Sequence, residues 1–338
     1  MKEALFYVRK EDGDKVACLL CPQRCVIGPG KTGICRRRRN VEGTLYALNY
    51  GEISSAAIDP VEKKPLYHFY PGHTIFSVGT VGCNLHCKFC QNWEIAHGDA
   101  PTTTVAPEEL VRMAKNEAAR GPCVGIAYTY NEPWIWYEYV YDAAVLAHAA
   151  GLKNVLVTNG FVEQEPLEKI LPYIDAMNID VKAFTDDYYR KLCAGRLEPV
   201  LRTVEKAVGR CHVELTTLIV TGCNDSPEEI KELVDWVAGL DPAIPLHFSR
   251  YFPRYRMDAP PTPEETLWKA RSIALEKLHY VYLGNVHAPE ADNTYCPRCK
   301  KAVIERLGYL VRAVNLDGNR CGHCGQELNI LGEARVNW

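Results

Sequence analysis

A chain of 338 residues is long enough for about two domains, or for one barrel with appendages. Hydrophobic residues make up 47% and charged residues 24%, a balance that excludes a mostly disordered chain. With 39 basic against 42 acidic residues, the net charge of -3 confers no bulk affinity for nucleic acid or an anionic membrane.

The first twenty residues are studded with charge and lack the apolar centre of a secretory signal. No apolar run approaches the ~20 residues that cross a bilayer. The expectation is a soluble, cytoplasmic protein with no membrane partner. Cysteine usage is the informative feature. There are 15, and eleven of them fall into three short-spaced groups. In a reducing compartment such spacing points to metal ligation ahead of disulfides.

Residues 1–69 show little helical periodicity. They carry Cys18-x-x-Cys21-Pro-Gln-Arg-Cys25 and then, after nine residues, Cys35. Four thiolates suit zinc or a second iron–sulfur cluster alike, and the Pro- and Gly-rich loop leans toward zinc. Arg36-Arg-Arg-Arg39 is a dense basic run. It reads as a solvated loop or as a docking patch for an acidic partner or RNA.

Residues 70–290 alternate short apolar runs with amphipathic stretches. Strands are expected near Thr74–Gly79, Val124–Thr129, Asn154–Thr158, Met177–Val181, Val213–Val220, Pro245–Ser249 and Tyr280–Leu283. Helices are expected over Pro107–Ala119, Tyr137–Ala150, Glu228–Ala238 and Glu264–Leu278. Ser226-Pro-Glu-Glu229 and Thr262-Pro-Glu-Glu265 each offer a hydroxyl cap, proline at the first helical position and glutamate at the third. Such alternation gives an α/β fold with a parallel sheet, open or closed into a barrel. The density of Trp134, Trp136, Tyr137, Tyr139 and Tyr141 reads as packing.

Directly after the first of these strands comes Gly82-Cys83-Asn-Leu-His-Cys87-Lys-Phe-Cys90-Gln-Asn92. Three thiolates so close together can grip three corners of a cubane iron–sulfur cluster. Most such clusters are held by four cysteines. The fourth iron is then left open, and an open coordination position is what a catalytic metal needs. Zinc held by three thiolates and water is the rival. Cys123, Cys193, Cys211 and Cys223 fit no group and read as core or idle thiols.

Residues 291–338 carry Cys296-Pro-Arg-Cys299, then twenty-one residues, then Cys321-Gly-His-Cys324. Paired CxxC knuckles at this separation signal structural zinc with four thiolates, with rubredoxin-like iron as the alternative. A metal staple suits so short a tail, which cannot build much core alone. Such a ribbon could also recognise a macromolecule.

The central cysteine spacing resembles the signature of the radical SAM superfamily. There the open iron chelates the amino and carboxylate groups of S-adenosylmethionine. Lys64-Pro-Leu-Tyr-His-Phe-Tyr-Pro-Gly72 and Gly82-Cys-Asn-Leu-His-Cys-Lys-Phe-Cys-Gln-Asn-Trp93 are similar to the radical SAM member of the AmmeMemoRadiSam group, related to pyruvate formate-lyase activating enzymes. The resemblance runs over nearly the whole chain. It implies a partial (β/α)6 TIM-like barrel with a Cys-rich N-terminal extension and a C-terminal zinc-ribbon-like domain. It also implies association with Memo-like and AMMECR-type proteins.

Further motifs fall at the carboxyl ends of expected strands, where α/β barrels place their active sites. Thr129-Tyr-Asn-Glu-Pro133 stands where the superfamily has a Gly-Gly-Glu-Pro-like segment, with both glycines replaced here. Val157-Thr-Asn-Gly160 resembles the Asp-Thr-Asn-Gly of the activating enzymes, with Val157 at the aspartate. The resemblance assigns Cys83, Cys87 and Cys90 to the cluster and Asn131, Glu132, Thr158 and Asn159 to the cosubstrate. Asn178-Ile-Asp-Val-Lys182 resembles the strand end near hydrogen-atom transfer, making Asp180 and Lys182 the catalytic candidates. A plain salt bridge closing the strand is the alternative for that pair. His247, Arg250 and Tyr251 are candidates to line the pocket.

The resemblance further implies a low-potential donor such as reduced ferredoxin or flavodoxin. One electron breaks the C5′–S bond of S-adenosylmethionine, and the resulting 5′-deoxyadenosyl radical abstracts hydrogen. The expected substrate is a small molecule or a protein. A glycyl-radical activase is the second reading. RNA modification is a third, resting on the arginine run and the ribbon, and a metal-stapled binding module is the non-catalytic alternative.

Overall fold

Short apolar runs alternating with amphipathic helices assemble into one eight-stranded sheet. The computed structural model describes residues 1–11 and 13–337. Strands β1 (Ser55–Pro60), β2 (Thr74–Gly79), β3 (Cys123–Tyr128), β4 (Lys153–Thr158), β5 (Ala176–Asp180), β6 (His212–Ile219), β7 (Leu246–Arg250) and β8 (Val281–Gly284) lie side by side in chain order. β1 runs antiparallel to β2, and every later pair is parallel. Among the described residues no pairing joins β8 back to β1, so the barrel is partial.

Six crossovers carry α1 (Pro107–Arg120), α2 (Tyr137–Ala149), α3 (Gln164–Ile170), α4 (Leu197–Ala207), α5 (Pro227–Leu240) and α6 (Glu264–Leu275). In α5 the buried residues Ile230, Leu233, Val234 and Val237 recur at helical spacing and face the sheet. The Ser226 hydroxyl accepts from the Glu229 N–H at 3.2 Å, as its cap sequence predicts. Thr262 does not cap α6. It is buried, and its hydroxyl donates to the Ile219 carbonyl at 2.6 Å and accepts from the Tyr251 N–H at 3.1 Å. Tertiary demand for that hydroxyl outweighs the local cap.

The sheet begins at Ser55, inside the stretch read from sequence as an N-terminal extension. Upstream of it, two small three-stranded sheets organise the described residues between Lys2 and Ala47. This unit packs on the barrel by the Leu5 N–H to Glu138 (2.9 Å) and the Glu163 N–H to the Leu20 carbonyl (3.1 Å). The basic run is not a solvated loop as a whole. Arg38 is 1% exposed and pairs with Glu138 at 2.7 Å, while Arg36 reaches the His97 carbonyl. The run lies partly in a strand (Arg38–Val41) whose residues alternate between buried and exposed, so every second side chain turns inward.

At the amino ends of the strands, Glu214 accepts from the His68 N–H (2.7 Å), and its carboxylate meets His212 (3.0 Å) and His247 (2.7 Å). Burial opposes the charge on Glu214, but these partners hold its carboxyl far below the ordinary range. His247 is therefore a structural residue of the barrel floor rather than of the pocket. Arg250 and Tyr251 are likewise engaged, with the Thr262 carbonyl and the Met257 carbonyl.

The C-terminal hairpin, β9 (Ala302–Leu307) and β10 (Leu310–Val314), has its own small core of Val303, Ile304, Val311, Leu328 and Ile330. It docks through Arg306, which is fully buried, beside Glu62 (3.4 Å), the Tyr67 carbonyl (2.7 Å) and the Tyr67 ring.

Candidate active site

Parallel register sets the motifs next to one another. Val78 pairs with Tyr128, Tyr128 with Leu156, and Thr158 with Ile179, so the loops after β2, β3, β4 and β5 emerge side by side. The cysteine loop follows β2. Its turn needs a glycine at position 82, where φ is +100° and a Cβ would lie 2.6 Å from Arg37 Cγ.

The loop is tied at both ends. Asn131 Nδ2 donates to the Gly82 carbonyl at 2.8 Å, and Asn131 Oδ1 accepts from the Thr80 N–H at 3.1 Å. Farther along, the N–H groups of His86 and Lys88 donate to the carbonyls of Cys193 (2.8 Å) and Leu192 (2.9 Å). Those carbonyls belong to a π-helical turn, Tyr189–Cys193, a wide-turned irregularity of the kind that recurs at functional sites. On the outer side Trp93, Tyr255, His97 and His86 form a file of stacked rings.

Behind Cys83 lies a hydrogen-bonded net. Glu132 accepts from Thr158 Oγ1 (2.7 Å), the Trp134 N–H (3.1 Å) and the Asn159 N–H (2.9 Å). Asn159 Nδ2 donates to Asn84 Oδ1 at 2.9 Å and approaches the Cys83 sulfur at 3.7 Å. Burial pushes the Glu132 carboxyl up to about 7, despite these donors. The sequence candidates Asn131, Glu132, Thr158 and Asn159 thus come together, with Asn131 on the loop anchor and the other three in the net.

Facing the loop, Lys182 Nζ meets Asp180 Oδ2 at 2.8 Å. Burial works against the lysine's charge, yet Asp180 and the thiols of Cys87 and Cys193 hold its pKa well above the ordinary value. Cys87 is lowered chiefly by a hydrogen bond with Cys193, and burial raises Cys90 to about 11. Cys193 is the residue that sequence reasoning missed. It is fully buried beside Cys87, and its lone position, with no neighbouring cysteine, gave no spacing signal.

A tetrahedral zinc with bonds of ~2.3 Å sets its sulfurs about 3.8 Å apart. The C-terminal group matches this: Cys296 and Cys324 are 3.6 Å apart, and Cys299 and Cys321 3.7 Å. Among the described residues it is the only set of three or more ligand atoms closed to within 4.8 Å. Cys83, Cys87 and Cys90 form no such closed set among the described residues, which is compatible with a multi-iron cluster. The Leu85 N–H, 3.4 Å from the Cys83 sulfur, adds the kind of donor that such sulfurs accept.

Comparison with known proteins agrees with this geometry. Residues 77–237 match the family model of the radical SAM superfamily. The chain is 46% identical over 98% of its length, and over all of the relative's, to uncharacterized protein MJ0808 of Methanocaldococcus jannaschii. It is 22% identical over 38% of its length, and 43% of the relative's, to the 4-hydroxyphenylacetate decarboxylase activating enzyme of Clostridium scatologenes. A radical SAM methyltransferase structure from Sphaerobacter thermophilus shares the fold, with TM-score 0.51 and 15% identity over 82% of this chain and 75% of that one. Thiols at the mouth of a partial barrel and the match to the radical SAM family model together define an enzyme that works with S-adenosylmethionine and an iron–sulfur cluster. The chain belongs to the radical SAM superfamily.

Proposed function

We propose that the enzyme generates a radical from S-adenosylmethionine in order to abstract hydrogen from a small-molecule or protein substrate. The observation that carries this reading is the gathering of Cys83, Cys87 and Cys90 at the strand ends, with Glu132 beside Cys83 and Lys182 beside Cys87. When bound, the [4Fe–4S] cluster supplies one electron that cleaves S-adenosylmethionine to methionine and a 5′-deoxyadenosyl radical. A low-potential ferredoxin or flavodoxin supplies that electron in turn.

The chain's residues bind, orient and shield. Cys83, Cys87 and Cys90 hold the cluster, and Asn131 fixes the loop that presents them. Thr158 and Asn159 hold Glu132 in one orientation, so its carboxyl presents a fixed acceptor toward a cosubstrate ammonium. Asp180 and Lys182 bound the reaction space opposite the thiols. Buried Phe89 and Tyr188 pack nearby with rings 5.8 Å apart and keep water from the inner side of the loop. In this reading a metal-binding extension precedes the sheet that begins at Ser55, the catalytic barrel runs to about residue 290, and residues 291–338 form a zinc-stapled ribbon. The 3.6 and 3.7 Å sulfur spacings support a single tetrahedral ion in the ribbon, for which zinc is the proposed occupant. Memo-like and AMMECR-type proteins are the proposed partners, on the sequence resemblance alone.

The local similarity to an activating enzyme favours one second reading, in which the substrate is a glycyl radical enzyme. Anaerobic reconstitution, reduction and addition of S-adenosylmethionine test the main proposal. Formation of 5′-deoxyadenosine, abolished in Cys87→Ala, is the expected result. A reduced, iron-loaded protein that leaves S-adenosylmethionine intact overturns it.

A further inference from the structure

The N-terminal cysteines are the second concentration of metal-ligating chemistry outside the barrel's own loop. Cys18 ends a short strand (Val16–Cys18), Cys21 and Cys25 follow in the next turn, and Cys35 precedes the strand at Arg38. All four line one cavity, whose remaining wall includes Leu20, Ile27, Ile34 and Ile135. Cys18 and Cys21 are buried.

The two four-cysteine sets of this chain differ in size. The C-terminal sulfurs are closed to single-ion spacing, whereas the N-terminal four form no such closed set among the described residues. Open space remains inside the cavity that all four line. Four thiols that line one cavity without closing to single-ion spacing suit a multi-iron cluster.

The wall also offers unused donors. The Arg38 guanidinium is 1% exposed and spends Nη2 on Glu138, but its Nε and Nη1 have no hydrogen-bond partner among the described residues. Buried guanidinium N–H groups left unmatched are costly, and a sulfide- and thiolate-bearing anion beside them supplies acceptors. The Ile34 N–H already donates to the Cys25 sulfur at 3.4 Å. Iron–sulfur sulfurs take such hydrogen bonds, which tune their potential.

We propose that Cys18, Cys21, Cys25 and Cys35 hold a second, four-cysteine [4Fe–4S] cluster instead of zinc. The site abuts the catalytic loop. Asn84 lines this cavity and precedes Leu85 in the loop, next to Cys83, while Gln23 Nε2 donates to the Asn84 carbonyl at 2.9 Å. A cluster here is one residue removed from a ligand of the first.

Acid-labile sulfide decides the matter, because neither zinc nor a lone iron in the C-terminal site contributes any. Anaerobically reconstituted full-length protein is expected to carry about eight sulfides per chain, as two cubanes require. Cys83→Ala/Cys87→Ala/Cys90→Ala is expected to keep half, and Cys21→Ser/Cys35→Ser to keep the other half. About four sulfides in the wild type, all lost in the triple variant, with zinc recovered in place of the second cluster, overturns the proposal and leaves the catalytic site intact. Four sulfides that survive the triple variant support the second cluster and remove the first. Should either variant misfold by circular dichroism, the wild-type count of eight against four still decides.

Discussion

Lys182 and Asp180 form an ion pair at 2.8 Å that faces Cys87 and is two-sided in environment, with the lysine side chain 14% and the aspartate 38% exposed. A pair serving only to close the strand end should matter to stability alone. After discounting for the aspartate's exposure, that contribution is about 1 kcal/mol. A pair bounding the reaction space should matter to turnover. Lys182→Met is expected to keep the iron content and lower substrate-dependent 5′-deoxyadenosine formation by about tenfold or more, the value of one charge-assisted contact. Asp180→Asn is expected to act in the same direction. Unchanged turnover with a small loss in denaturant midpoint would assign the pair to structure.

Glu132 gives a pH signature. Burial raises its carboxyl from the ordinary 4.5 to about 7. The folded chain therefore binds more protons than the unfolded chain between these values. Its contribution to stability is fully present below about 4.5 and is lost as pH rises through about 7, some 3 kcal/mol in all. In the metal-free chain, Glu132→Gln is expected to flatten that slope, measured as urea midpoints at pH 5 and pH 8. Parallel profiles for variant and wild type would show that the carboxyl does not titrate there.

Much of this site is legible in sequence because it depends on strand order. Once β2 to β5 are read from their apolar runs, parallel pairing brings Cys83, Glu132, Thr158 and Asp180 to one end without further information. What stayed hidden depends on contacts between distant segments. His247 lies near the amino end of β7, where Glu214 claims it, a placement that its residue type did not reveal. Arg38 looked like part of a solvated run until Glu138, a hundred residues later, met it in the interior. Thr262 has the pattern of a helix cap, but Tyr251 and Ile219 use its hydroxyl. Cys193 has no spacing partner in sequence and meets Cys87 only through the π-helical turn.

Arg306 joins the C-terminal ribbon to the barrel. Its guanidinium serves the Tyr67 carbonyl, Thr294 and the Glu62 carboxyl, and both charged side chains are fully buried. Arg306→Met leaves Glu62 with the Gly72 N–H (2.9 Å) as its remaining donor across this contact. Removing one partner of such a buried pair costs about 3–5 kcal/mol. Thermal melting is expected to fall accordingly, and limited proteolysis to release the ribbon, while the ribbon keeps its metal. Cys299→Ser should do the reverse, losing that one ion with little change in the barrel's melting. If the two variants behave alike, the metal and the docking contact are one cooperative unit.

Cys193 is the side chain best placed to spoil the proposed chemistry, since a fourth thiolate on the catalytic cluster would occupy the position that S-adenosylmethionine needs. The structure directs it elsewhere. Its thiol is fully buried and hydrogen-bonded to Cys87, and its carbonyl accepts from the His86 N–H in the middle of the loop. That arrangement makes Cys193 a support for a ligand. Cys193→Ala is therefore expected to retain the catalytic cluster's iron and sulfide and to cleave S-adenosylmethionine, with a loss of no more than a few kcal/mol of stability from the small void. Cys87→Ala, by contrast, should lose the cluster. Loss of the cluster in Cys193→Ala as well, or a reduced-state EPR spectrum of the wild type that S-adenosylmethionine does not alter, would identify Cys193 as the fourth ligand.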